Sequence, residues 1–344
     1  TVSRTGSETP QGQEARRLAK NLRRLLGRAG NIQPWMVSHR GRISRALWEE
    51  IFLPREIRKL GVELFHSPTG TAPARLPCPS VITLHDLAYH RYPNMFPRLQ
   101  WYYLNHVLPR SALSAATVIT DSEFSRGEIL QQMKLPPDKV LPVHLGVSED
   151  FHPVENVDRK KQVRKQYGLP DRFILALGTV EPRKNLMTLI EAFNLVSRRD
   201  QNLCLVLTGR RGWKEEPVFE RIEVLKLSDR IVWTGFVPRQ DLPVVYSMAL
   251  ASVYLSIYEG FGLPVLESMA CGTPAVASDI PIFQEWAESA ALLVPPDNPQ
   301  VVSEAILKVV HDESLREKMK GAGMTLASQL SWQETARKTL DIYR

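Results

Sequence analysis

The sequence predicts an α/β protein built from two Rossmann-like, doubly wound domains, and three observations carry that prediction. From Phe173 onward, short apolar runs alternate with helical patterns, the rhythm of βαβ units whose parallel sheet is covered on both faces. The N-terminal half repeats the rhythm less regularly. The chain, at 344 residues, is also longer than a single hydrophobic core usually serves.

In chain order, the apolar runs predict strands at 64–66, 80–84, 117–120 and 140–144 in the first half. In the second half they fall at 173–177, 203–207, 231–233, 251–256, 275–278 and 291–294. The stretch 152–170 is polar and lysine-rich, which places the domain limit within it: residues 1–160, then 161–328. Ser331-Trp-Gln-Glu334 has the form of a capping box and opens a last helix. Residues 329–344 are thus expected to pack back toward the first domain. Thr1 to Gln13 is polar and carries no apolar strand.

Composition excludes several classes. Hydrophobic content of 43% and charge of 24% are ordinary for a folded protein and give no case for disorder, collagen or a coiled coil. No apolar run reaches membrane-spanning length and the first residues do not read as a secretory signal, which predicts a cytoplasmic location. Cys78, Cys204 and Cys271 are odd in number and widely spaced, supporting neither a disulfide framework nor a zinc site. Residues 1–60 hold thirteen Lys/Arg against five Asp/Glu, a surplus of eight that exceeds the whole chain's net charge of +7. Within them, Arg16, Arg17, Lys20, Arg23, Arg24 and Arg28 share a helical pattern with Leu18, Leu22, Leu25 and Leu26. Such a helix suits peripheral contact with an anionic membrane, while no nucleic-acid motif accompanies it and no nucleic-acid partner is expected.

The most informative motif is Glu259-Gly-Phe-Gly-Leu-Pro-Val-Leu-Glu267, where an apolar strand hands over to a helix. Gly260 and Gly262 permit a tight turn, Pro264 suits the first helical position, and the helix is expected to begin near Leu263. Its free N–H groups and dipole then favour a phosphate or sugar oxygens. Glu259 on the loop and Glu267 one turn into the helix offer acceptors at two depths, which fits a sugar joined through diphosphate to a ribose. The competing reading is a common strand–helix turn with a dipole-favoured glutamate.

Three other strand ends add to the pattern. Gly178-Thr179-Val-Glu-Pro-Arg183-Lys184-Asn185 follows strand 173–177, and its adjacent cations can clamp a diphosphate, Arg183 by a forked contact and Lys184 as a point charge. His85-Asp86 follows strand 80–84, with His85 placed to hydrogen-bond a transferred sugar and Asp86 to orient its ring; a structural loop histidine is the alternative. Ser122 and Ser125 open a helix after strand 117–120: Ser122 is a candidate donor contact, and N-capping suffices to explain Ser125. Doubly wound domains bind ligands at the carboxyl ends of their strands, so the site is expected in the cleft between the domains. The chain lacks Asp-x-Asp, Gly-x-Ser-x-Gly, a Walker loop and His-Glu-x-x-His, and no metal site is expected.

Together these residues resemble the retaining glycosyltransferases of family 4, of the GT-B fold. The likeness rests on Phe65-His66-Ser67-Pro68, Thr83-Leu84-His85-Asp86-Leu87, Thr120-Asp121-Ser122-Glu123-Phe124-Ser125, Gly178 to Asn185, Thr234-Gly235-Phe236-Val237, and Glu259 to Glu267 followed by Cys271-Gly272-Thr273-Pro274. The resemblance implies that Glu267 binds the nucleotide ribose and Glu259 the donor sugar's hydroxyls. Backbone amides of Phe261, Gly262 and Leu263 would surround sugar and phosphate, Arg183 and Lys184 would neutralise the diphosphate, and His85 would reach the sugar. Gly209 and Phe236 would flank the base. Similar members with these Phe-His-Ser-Pro and Leu-His-Asp-Leu patterns are often mannosyltransferases using GDP-mannose. The implied reaction is a metal-independent, cofactor-free transfer of a hexose from a nucleoside-diphosphate sugar to a saccharide or lipid-linked acceptor hydroxyl with anomeric configuration kept. Many members carry a basic residue where Thr179 stands, which leaves the phosphate clamp to Arg183 and Lys184. A GT-B epimerase, a phosphorylase or a catalytically silent binding subunit would share the fold.

Overall fold

The computed structural model describes residues 17–24 and 48–344. They form two compact units. The first takes its described residues up to Gly146 together with Trp332–Arg344, and the second is Val147–Ser331. The opening stretch Thr1 to Gln13 and most of the basic helix's flanks lie outside the described residues.

In the first unit, helices α1 (17–24), α2 (48–51) and α3 (Leu53–Lys59) precede a parallel sheet. Its strands are β1 (Phe65–Ser67), β2 (Ser80–Thr83), β3 (Thr117–Thr120) and β4 (Val140–Pro142), in that spatial order. Helices α4 (Ala88–Arg91) and α5 (Arg98–Ser114) lie between β2 and β3, and α6 (Glu123–Met133) between β3 and β4. Successive strand residues face opposite ways, so one face packs Ile82, Val118 and Val140 with Leu53, Leu108 and Ile129. The other face places Val81, Ile119 and Val143 beside Ile342 and Tyr343 of the last helix. Both faces being covered explains why these strands read as continuous apolar runs. Among the described residues this sheet has no reversal of strand order. In α1, Leu22 is buried while Lys20, Arg23 and Arg24 are exposed, the division an amphipathic helix requires.

The second unit begins with α7 (Val157–Tyr167), capped by the Asn156 side chain on Arg159 N and ended by Gly168 at φ 63°. Its only fully buried side chain is Val163, which is why the sequence disguised it as a linker and set the domain limit within it. The structural limit lies upstream, where the Val147 amide donates to Leu330 O over 2.9 Å and Phe151 packs edge-on to Tyr246. The strands are β5 (Phe173–Leu177), β6 (Cys204–Thr208), β7 (Ile231–Gly235), β8 (Ala251–Tyr254), β9 (Ala275–Ser278) and β10 (Ala291–Val294). All pair in parallel in the order β10-β9-β8-β5-β6-β7, so the winding direction reverses between β5 and β8.

Helices α8 (Leu186–Arg199), α9 (Glu216–Val224), α10 (Leu242–Met248), α11 (Leu263–Ala270), α12 (Pro281–Trp286), α13 (Pro299–His311) and α14 (Glu313–Gln329) complete this unit. In α8, Leu189, Ile190, Phe193 and Val196 recur at helical spacing and meet Ile174 and Ala176 of β5. Burial of each such large side chain contributes about 1.5–3 kcal/mol. Phe173 and Leu175 point the other way, onto Val163, Val244 and Tyr246. Helix α15 (Trp332–Tyr343) returns to the first unit, where Thr335 Oγ1 donates to His144 O at 2.8 Å.

Candidate functional site

The point of reversal in the second sheet gathers the loops after β5 and β8, the position where open α/β sheets take ligands. The two loops are joined through backbone, since Ile257 N donates to Arg183 O at 3.0 Å. Above them Glu259 is buried, and its Oε1 accepts from Lys184 Nζ at 2.7 Å, from Tyr254 Oη at 3.1 Å, and lies 2.8 Å from Arg183 Nη1. Arg183 also donates to Tyr258 O at 3.0 Å and to Glu181 Oε1 at 2.9 Å. The Lys184 ammonium stands 4.7 Å above the Tyr254 ring and donates to its hydroxyl.

Burial opposes the charge on Glu259, but the Arg183 and Lys184 cations outweigh it and hold the carboxyl down to about 2. Burial likewise disfavours the Lys184 ammonium, and the Glu259 carboxylate more than restores it, leaving its pKa raised. Burial first, then Glu259, pushes the Tyr254 hydroxyl up. The cluster therefore stays as two cations and a carboxylate, with a neutral phenol, through the physiological range.

Two glycines give this cluster its room. Gly178 has φ 150°, and a side chain there would abut the Lys184 stem at 3.4 Å. Gly209, at the end of β6, is tighter: an added Cβ would fall 1.9 Å from Gly178 O. Gly178, Thr179, Lys184 and Tyr254 line a small hollow at this edge. Nearby, the Arg210 guanidinium lies 4.5 Å over the ring of Phe236, which is half exposed.

Beyond Glu259 the bend runs as expected. Gly260 and Gly262 are buried, Gly262 is left-handed at φ 91°, and α11 starts at Leu263. Phe283 fills the space beside Gly262, where a Cβ would meet it at 2.4 Å. Phe261 stacks on Trp286 at 5.2 Å, and its carbonyl accepts from Trp286 Nε1 at 3.0 Å. Glu267 is also buried, with Arg239 Nη1 at 3.5 Å from its Oε1.

The first unit has its own strand-end group. His85 Nε2 donates to Pro68 O at 3.0 Å, and Nδ1 lies 2.9 Å from Asp121 Oδ2. Burial pushes the Asp121 carboxyl up, outweighing the pull of His85. One expectation is corrected here. Asp86 does not orient His85: its carboxylate accepts from Ala88 N at 2.9 Å and steadies the start of α4. Ser122 is fully buried and caps α6 by accepting from Ser125 N at 3.1 Å. Ser125 itself donates to His85 O at 3.3 Å. His66 bonds Thr83 Oγ1 at 2.9 Å and the Tyr343 hydroxyl, and burial lowers its pKa to about 3.

The structure thus brings together Arg183, Lys184, Glu259, Gly178 and Thr179. Sequence reasoning missed Tyr254, Glu181, Asp121 and Arg239. Tyr254 was hidden inside an apolar strand, and Asp121 is 36 residues from His85 but follows the neighbouring strand β3. Among the described residues, no group of His, Cys, Asp and Glu has the makeup of a metal site, and no helix is long and apolar enough to cross a membrane.

Known proteins resemble this chain in sequence and in fold. The family model described as Glycosyltransferase Family 4 matches residues 8–151, and that described as Glycosyl transferases group 1 matches residues 159–325. The O-antigen chain mannosyltransferase B of Escherichia coli is 33% identical over 282 residues, 82% of this chain and 74% of that protein. The serotype-specific mannosyltransferase WbdA of the same species is 29% identical over 290 residues, 80% of this chain but only 34% of that longer protein. Anabaena Alr3699/HepE, solved in complex with UDP, superposes with a TM-score of 0.79 at 18% identity, covering 99% of this chain and 98% of that one. With both halves matched in order and a third of the aligned residues shared with one such enzyme, this chain is a glycosyltransferase of family 4, mannosyltransferase-like in sequence, with the two parallel-sheet domains of the GT-B fold.

Proposed function

We propose that the protein moves mannose from GDP-mannose to a saccharide or lipid-linked acceptor hydroxyl, with retention of anomeric configuration and without a metal or other cofactor, in the synthesis of a polysaccharide or glycolipid. The observation that carries this reading is the convergence of Arg183, Lys184 and Glu259 at the reversal between β5 and β8. Departure of the nucleotide leaves negative charge on the diphosphate. Two pre-positioned cations and the N-terminal end of α11 stabilise that charge, an effect worth about 3–4 kcal/mol per well-placed donor. Cations supplied by the protein do the work that a bridging metal does elsewhere.

Glu259 is a poor nucleophile and a poor base in this setting. Its Oε1 takes three contacts and its carboxyl titrates at about 2, so we assign it to holding the two cations in register and to binding sugar hydroxyls. The leaving diphosphate then accepts the acceptor's proton. Glu267 would take the ribose hydroxyls, and the Arg210–Phe236 stack offers a flat, cationic face to the base. The mannose assignment draws on the mannosyltransferases that this chain resembles. A cytoplasmic location and peripheral contact with anionic lipid through α1 complete the proposal, the latter supported by the exposed Lys20, Arg23 and Arg24.

The test is incubation of the protein with GDP-mannose and a mannose-terminated acceptor in the presence of EDTA. The expected result is GDP release that requires acceptor, and a product whose new linkage is α by NMR. Acceptor-independent sugar-nucleotide conversion, a β linkage, or activity lost with EDTA and restored by a divalent cation would each overturn the corresponding part. A thermal-shift panel of GDP-, UDP- and ADP-sugars reads the base directly, since ligand at one hundred times its Kd adds about 2.7 kcal/mol.

A further inference from the structure

Arg239, on the loop after β7, is placed at some cost. Its Nη1 lies 3.5 Å from Glu267 Oε1, its Nε 3.5 Å from Asp150 Oδ2, and its Cζ 4.5 Å over the Phe151 ring. Its Nη2 is buried without a hydrogen-bond partner. An unsatisfied buried donor weighs against the fold, the more so when it carries charge, so stability alone does not account for this position.

The three groups that Arg239 touches come from separate parts of the chain. Glu267 is on α11, whereas Asp150 and Phe151 belong to the segment that opens the second unit. Phe151 reaches α11 by a second route as well: it packs edge-on to Tyr246 at 6.1 Å, and Tyr246 Oη donates to Pro264 O at 3.3 Å in the first turn of that helix. The start of α11 is therefore braced twice from one aromatic side chain, once through its backbone and once, by way of Arg239, through Glu267.

We propose that Arg239 is a positioning residue for Glu267, fixing the carboxylate so that it accepts from the hydroxyls of the donor's ribose. The proposal rests on the reading of Glu267 as the ribose acceptor. Arg239 acts by holding one face of the carboxylate from behind while the ring of Phe151 keeps the guanidinium plane from turning. Arginine suits the task better than lysine because its planar fork and its stacking on an aromatic face fix an orientation that a point charge leaves open.

The test compares GDP-mannose with its 2′-deoxyribose counterpart as donors, measuring kcat and KM for the wild type, Glu267→Gln, Arg239→Gln, Arg239→Lys and Phe151→Leu, with thermal unfolding of each variant. A hydrogen bond to a charged acceptor predicts that the wild type prefers the ribose donor tenfold or more in kcat/KM. Glu267→Gln and Arg239→Gln should both reduce that preference to about twofold, Arg239→Gln chiefly by raising KM for the ribose donor. Arg239→Lys and Phe151→Leu should fall between. If Arg239→Gln, or Phe151→Leu and Arg239→Lys together should the first not fold, keep the full preference while Glu267→Gln loses it, the proposal for Arg239 fails and the reading of Glu267 stands. A wild type indifferent to the 2′ hydroxyl, or a Glu267→Gln variant that still discriminates fully, removes the reading of Glu267 and this role for Arg239 with it.

Discussion

The two units place polar groups at the same topological position, the carboxyl ends of adjacent parallel strands, yet they manage charge in opposite ways. At the end of β5 and β8 a buried carboxylate is surrounded by cations and is held ionised far below its ordinary range. At the end of β2 and β3 a buried carboxylate has His85 in hydrogen-bond contact, with His144 also drawing its pKa down, yet burial prevails and its pKa rises. Burial is not the difference, since Glu259 and Asp121 are both almost inaccessible. What differs is the number of cations within contact. The second unit can present fixed cationic charge to an anionic ligand, whereas the first offers a carboxyl paired with an imidazole.

The largest expected effect is on the charged side. Lys184→Ala should lower kcat/KM by about 10²–10³, as removal of one preorganised donor to a developing oxyanion does, read from initial rates of nucleotide release. Next comes Glu259→Gln, which takes from two largely buried cations the carboxylate they share and should cost about 3 kcal/mol at neutral pH by chemical denaturation. The folded-state pKa of Glu259 is depressed from 4.5 to about 2, so its contribution is complete above 4.5 and is lost as pH falls through 2. The gap between wild type and variant should therefore close on acidification. Asp121 has the reverse sign. Its folded-state pKa is raised above the ordinary 3.8, so its ionisation destabilises the fold as pH rises past that value. Asp121→Asn should accordingly fare better, relative to wild type, at neutral pH than at pH 3.

Smaller effects sharpen the comparison. Gly262→Ala puts a Cβ at φ 91° and 2.4 Å from Phe283, and should cost about 1–3 kcal/mol in thermal unfolding while raising donor KM as the start of α11 shifts. Phe236→Ala, at an exposed ring, should leave stability nearly unchanged and weaken donor binding by about 1 kcal/mol, seen as a roughly fivefold rise in KM. The smallest shift belongs to Asp121→Asn at neutral pH, within about 1 kcal/mol of wild type.

The second unit was the more legible in the sequence because its determinants are local. The bend at Gly260 and Gly262, the start of α11 at Leu263 and the pair Arg183-Lys184 each lie within a few consecutive residues whose spacing has few interpretations. The contact that unites them, between Glu259 and residues 75 positions earlier, follows once β5 and β8 are neighbours. Where the reading went astray, two local patterns looked equivalent. Asp86 stands next to His85 in sequence, but a strand end followed by a short helix uses the adjacent acid as a cap and leaves the histidine to the next strand's Asp121. Ser122 carries the same ambiguity, since a hydroxyl at a helix start can cap the helix, as it does here, and still donate elsewhere. Arg239 carried no signal at all, because nothing in a loop arginine announces a carboxylate 28 positions away.

The near-contact of Gly178 and Gly209 has a practical bearing on altering what this enzyme accepts. At Gly209 there is no room for even one methyl group, so the ends of β5 and β6 meet in a close seam, and a library randomised at that position will consist largely of destabilised members. Diversity is better spent on Phe236 and Arg210, whose side chains reach outward and whose replacement leaves the seam intact.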